Sequence, residues 1–99
     1  MRLLMDVEMI VTIPGRGPQA VGRLADEVHV GDKVSLRSPD AHVSAMIAEI
    51  RLGFDRIPPE SAQRGDDVAL LLKDVLVESI EGRKWLMYRQ GHKDDPSAD

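Results

Sequence analysis

Apolar residues recur at every second position from residue 3 to residue 13, and a proline-flanked glycine turn ends the run. Leu3, Met5, Val7, Met9, Val11 and Ile13 alternate with Arg2, Asp6, Glu8 and Thr12, with Leu4 and Ile10 as exceptions. Alternation over this length describes a strand with one packed face and one wet face. Pro14-Gly15-Arg16-Gly17-Pro18 then reverses the chain. Glycine supplies positive φ cheaply, and proline stops the ladder on each side.

The same grammar continues. Residues 19–25 return as a second strand, and Gly31-Asp32 turns into a third over residues 33–37, with Val34 and Leu36 inward. Residues 43–52 read as a long fourth strand with Met46, Ala48, Ile50 and Leu52 in register. Pro58-Pro59 excludes a central strand nearby, so residues 53–65 read as a loop with at most a helical turn at 60–63. Val68-Ala69-Leu70-Leu71-Leu72 is apolar at consecutive positions, the pattern of a strand buried on both faces. Residues 83–89 give the last strand. Six short strands with turn residues between them, and no long helix, predict an all-β fold, a small closed six-stranded antiparallel barrel. Closure also removes exposed strand edges. One domain over residues 1–90 is expected, with residues 91–99 a disordered acidic tail.

Composition excludes several functions. The 99 residues contain no cysteine, hence no disulfide, zinc-thiolate site or thiol nucleophile, which fits a reducing cytoplasm. No stretch approaches the roughly 20 apolar residues of a membrane span. The net charge of −4 is uneven: without the tail's one lysine and three aspartates, 12 basic and 14 acidic residues remain. So nearly neutral a body is a poor generic nucleic-acid binder, though a local arginine patch is compatible with it. Nine of the 13 basic residues are arginine, the better side chain for planar or bidentate recognition.

No catalytic constellation appears, and no enzyme activity or cofactor is expected. His29, His42 and His92 are far apart in sequence and lack ligand spacing. Asp66 and Asp67 are adjacent, so on a strand they point to opposite faces. Met5, Met9, Met46 and Met87 read as core packing. Trp85 reads first as a core residue.

The order Gly15-Arg16-Gly17, Gly22-Arg23 and Val30-Gly31-Asp32 resembles the second, β-barrel domain of translational GTPases of the elongation factor Tu type. Ala62-Gln63-Arg64-Gly65 before the most apolar strand, and Val75 and Ile80 before the last, extend the likeness over residues 7–88. The resemblance implies a barrel that binds rather than catalyses. The phosphate-binding loop Gly-x-x-x-x-Gly-Lys-Ser/Thr is absent, so neither GTP binding nor hydrolysis is expected. Family members hold the charged end of aminoacyl-tRNA in a pocket whose positions here are Glu8, Met9, Val11, Val21 and Asp67. Only Glu8 keeps the family's chemistry, and the stacking ring is missing, so aminoacyl-tRNA binding is not carried over.

Two binding readings follow. Arg16, Arg23, Arg37 and Arg64, with Arg51 and Arg56, form a basic surface if they converge, and the resemblance implies contact with ribosomal RNA or a translation protein. The plainer reading of these arginines is a scattered solvated face. Leu76, Val77, Trp85 and Tyr88 form a protein interface if they are exposed together. The alternative function is a protein–protein module or homo-oligomer no longer linked to translation.

Overall fold

A computed structural model of the chain describes residues 2–53 and 57–90. The strands in chain order are β1 (Arg2–Val7), β2 (Met9–Ile13), β3 (Gly17–Arg23), β4 (Val28–His29), β5 (Lys33–Ser38), β6 (Ala41–Arg51), β7 (Ser61–Ala62), β8 (Asp67–Lys73) and β9 (Trp85–Arg89). One helical turn, α1 (Val77–Ile80), precedes β9. Seven strands form one antiparallel sheet in the order β1-β9-β5-β6-β8-β3-β2, and β4 pairs separately with β7. The all-β expectation holds. There are nine strands among the described residues and not six, because the opening strand divides in two, residues 28–29 add β4, and residues 60–63 supply β7 instead of a helical turn. The acidic tail expected at residues 91–99 lies outside the described residues.

Turn chemistry places the strands. Gly15 and Gly17 have φ of +81° and +114°, and the Arg16 amide closes the turn on the Ile13 carbonyl at 2.9 Å. Pro18 does not stop the ladder; it stands in β3 opposite Thr12, one residue before pairing with β8 begins at Gln19. Two further turns share one design. Asp32 accepts the His29 amide at 2.9 Å and donates its own amide to the His29 carbonyl, with Gly31 between them at φ +95°. Asp66 does the same with Gln63, at 2.8 Å, across Gly65 at φ +94°. An Asp at the fourth position satisfies the turn's free amide, and glycine at the third takes the left-handed conformation.

The core lies inside the curve of the sheet and includes Leu4, Met5, Leu36, Ile47, Ile50, Leu70 and Met87, all fully buried. Trp85 joins it at 1% exposure, its indole N–H satisfied by the Ile80 carbonyl at 2.8 Å. That hydrogen bond ties α1 to β9 and removes the penalty of burying a polar atom.

Three register shifts decide which residues face inward, the first between Leu3 and Met5 in β1, where Leu3 is 37% exposed and Leu4 and Met5 are buried. The bridge Met5–Leu24 and the pairing Met9–Val21 differ by one residue of register, and the Glu8 amide also donates to the Val21 carbonyl at 2.8 Å. Two residues thus oppose one, and the extra residue inverts the faces of everything beyond it. Met5 and Val7 are buried, whereas Met9 and Val11 are 56% and 38% exposed. The single packed face expected over residues 3–13, with Met9 in the core, is therefore corrected. The third shift, between Ile47 and Glu49 in β6, has the same effect as the one before β2. Ala45, Ile47 and Ile50 are buried there, and Met46 and Ala48 are not. β8 is buried on one face only, with Ala69 and Leu71 half-buried on the other.

Candidate functional site

Inverting β2 at the bulge creates a continuous outer surface across four strands. Met9, Val21, Ala69 and Arg51 align in one cross-strand row, and Val11, Gln19, Leu71 and Glu49 in the next. The centre is apolar, with Ile13, Val21, Ala69 and Leu71 half-buried beside the more exposed Met9 and Val11. Ion pairs stand at both ends. Arg16, from the β2–β3 turn, reaches one Glu49 oxygen, and Arg51 approaches the other at 3.5 Å. At the far end Arg23 pairs with Asp67 at 3.1 Å. The hydrogen bond and charge of Asp67, with Glu8 adding to them, hold the Arg23 guanidinium above its usual pKa.

Two hollows open on this face. Ile13, Arg16, Gln19, Arg51 and Ala69 line one of about 330 Å³. Glu8, Val21, Gly22, Asp67, Val68 and Ala69 line another of about 210 Å³. Three positions that the family resemblance singles out, Glu8, Val21 and Asp67, thus converge, with Met9 paired to Val21. Their side chains are a carboxylate, a valine and a second carboxylate, a poor set for a polyanion.

The arginines do not gather on one patch. Arg16 and Arg23 bracket β3 and are separated by about 20 Å of strand at roughly 3.3 Å per residue. Arg37 lies across the sheet on β5, its guanidinium carbon 5.9 Å from the centroid of the Tyr88 ring. Arg64 is exposed in the turn before β8. Arg56 lies outside the described residues. Arg2, Arg16, Arg23, Arg51, Arg83 and Arg89 each meet a carboxylate.

Nor do the four residues of the expected apolar interface form one surface. Leu76 is 73% exposed just before α1, and Val77 is half-buried. Trp85 points into the core, so it cannot present its ring to a partner. Tyr88, on the opposite face of β9, is half-buried beside Arg37. The apolar surface that exists is elsewhere, on Met9, Val11 and their neighbours. Its sequence signal was one exception to the alternation: Ile10, out of phase with Met9 and Val11, is the β2 residue that packs against the core.

No protein-family model matches the chain. Over 92 residues the chain is 33% identical to elongation factor Tu 2 of Streptomyces avermitilis, an alignment that covers 90% of this chain and 20% of that protein. The chain therefore spans about a fifth of the length of the curated relative it matches. It is similar to an elongation factor Tu segment of domain size, and its all-β fold is compatible with that similarity. Among the described residues no helix is long and apolar enough to cross a membrane.

Proposed function

We propose that the chain is a translation-factor-like β-barrel binding module, without catalytic activity, that docks on a protein of the translation apparatus through the outer face of β2, β3 and β8. The similarity to elongation factor Tu 2 supports the translation setting. Closure of the sheet into a barrel is supported where β1 meets β3: the Ala25 amide donates to the Leu4 carbonyl at 2.7 Å, beside the Met5–Leu24 bridge.

The observation that carries the choice of partner is the exposed apolar row headed by Met9 and Val11. An apolar centre with a charged rim is the composition of a protein interface. The paired arginines argue in the same direction. A guanidinium already bound to Glu49 or Asp67 has to give up that partner before it can neutralise a phosphate.

Co-sedimentation with ribosomes over a range of salt concentrations tests this reading. Binding through the apolar face changes little between low and moderate salt and is lost in Val11→Asp. Binding that falls steeply with salt and survives Val11→Asp would assign the contact to RNA phosphates. Absence of any association would remove the translation setting.

A further inference from the structure

At the β1 end of the strand order, β1, β9 and β5 bear an outward-opening hollow that the proposed docking face does not use. Its volume is about 380 Å³, within the range of roughly 300–1,000 Å³ typical of small-molecule sites. Asp6, Arg37, Lys84, Trp85, Leu86 and Tyr88 are the lining residues that matter. Cross-strand register puts Asp6, Leu86 and Arg37 in one row.

Arg37 is held there without a carboxylate. Its Nε–H donates to the hydroxyl of the fully buried Ser35 at 3.3 Å, and its guanidinium carbon sits 5.9 Å from the Tyr88 ring centroid. Among the described residues no acid reaches it, in contrast to most of the other arginines. The ring contact and the Ser35 bond fix the plane of the guanidinium and leave its two terminal NH₂ groups to be satisfied from the hollow. Lys84 adds a second cation and stays 3.8 Å from Asp6, a loose pairing. Two cations and one carboxylate leave a single net positive charge. The remaining lining is apolar: Leu86 is 38% exposed and the half-buried Tyr88 stands beside it, with Trp85 behind them in the core.

We propose that this hollow binds a small monoanionic carboxylate carrying an apolar body, with Arg37 as the bidentate anchor and Leu86 and Tyr88 as the surface for the apolar part. A planar guanidinium fork matches a carboxylate in geometry, and the net charge matches a monoanion better than a phosphate monoester. The carboxylate belongs either to a free acid or to the C-terminus of a peptide ending in an apolar residue.

Trp85 supplies the reporter. It is the only tryptophan, and its indole N–H is fixed on the Ile80 carbonyl, so it gives one resolved ¹H–¹⁵N resonance from the core directly behind the lining strand β9. The intact chain is titrated with 3-phenylpropionate, 3-phenylpropionamide, N-acetyl-leucine and phenyl phosphate. Saturable shifts of the Trp85 indole and the Arg37 and Leu86 amides are expected with the carboxylates. Affinity falls by about tenfold or more for the amide and for Arg37→Gln, since each removes the charged hydrogen-bonded pair. Arg64→Gln, on an exposed turn, leaves affinity unchanged. Tighter binding of N-acetyl-leucine than of 3-phenylpropionate assigns the carboxylate to a peptide terminus, and the reverse to a free acid.

Three results overturn the proposal: no saturable shift up to about 10 mM, a range in which a ligand of this size at ordinary efficiency binds; equal binding of acid and amide; or tighter binding of phenyl phosphate. Should Arg37→Gln fail to fold, the acid–amide comparison on the unaltered chain and the Lys84→Gln variant decide.

Discussion

The amide of Glu8 donates to the carbonyl of Val21 at 2.8 Å, although the register partner of Val21 is Met9. This one surplus residue separates an inward-facing run, Met5 and Val7, from an outward-facing run, Met9 and Val11, within a single unbroken apolar alternation. Without the bulge Met9, Val11 and Ile13 would lie inside, and the outer face of β2 would carry only Ile10 and Thr12. The proposed docking surface is thus a product of backbone register, not of composition.

Val7 and Val11 should respond oppositely to the same substitution. Val7→Ala removes two methyl groups from a site that is 2% exposed and is expected to destabilise by about 2 kcal/mol. Val11→Ala, at 38% exposure, should stay within about 0.5 kcal/mol. Urea unfolding of the two variants measures the difference. Equal losses would mean that both valines are packed and that β2 does not invert.

Gly22 marks the close approach of β3 to β1. A Cβ there would stand 2.8 Å from the Asp6 carbonyl oxygen and 2.9 Å from Met5 Sδ. The sulfur can move, but the carbonyl belongs to a strand paired on its other edge with β9. Gly22→Ala is therefore expected to destabilise by about 1–3 kcal/mol through overpacking. Gly15→Ala has open space around it and suffers only the strain of φ +81°, about 1 kcal/mol. A neutral Gly22→Ala in the same denaturant series would show that β1 and β3 do not touch there, and would remove the support for a closed barrel.

Asp26 gives the fold an acid-sensitive point. The Glu27 amide donates to its carboxylate at 2.9 Å, with Arg2 at 3.3 Å and Arg89 at 4.0 Å, and partial burial opposes them. The balance holds its pKa below the ordinary 3.8. A carboxyl lowered on folding stabilises the protein above its unfolded-state value, and that contribution is lost as pH falls through the folded value. The stability difference between wild type and Asp26→Asn should therefore be full at neutral pH and shrink below about pH 4. Carboxyl-carbon NMR titration of Asp26 checks the direction. A midpoint above 3.8 would reverse it.

Much of this fold was legible from the residues. The glycine turn at residues 15–17 forms with positive φ where the flanking prolines require a reversal, and Gly31-Asp32 turns into β5 as its residue types imply. Trp85 packs in the core, as tryptophan usually does. What was not legible is register. A bulge leaves apolar alternation intact in the sequence, so Met9 and Val11 look like core residues, and Met46 and Ala48 are misplaced by the β6 shift for the same reason. Arginine pairing was hidden as well. Arg23 and Asp67 are 44 residues apart and Arg16 and Glu49 are 33 apart, and only the strand order β6-β8-β3 brings them together.

Docking of the inverted face of β2, β3 and β8 on a protein is read out by a photo-crosslinking amino acid placed at position 11. Irradiation in native lysate, followed by nuclease and protease treatment in parallel, separates protein adducts from RNA adducts. A discrete protein adduct to a component of the translation apparatus is expected, abolished by Met9→Asp and not formed from the same probe at Ile57, which is exposed and outside the strands of that face. An adduct that is nuclease-sensitive and protease-resistant, or none at position 11, would contradict it.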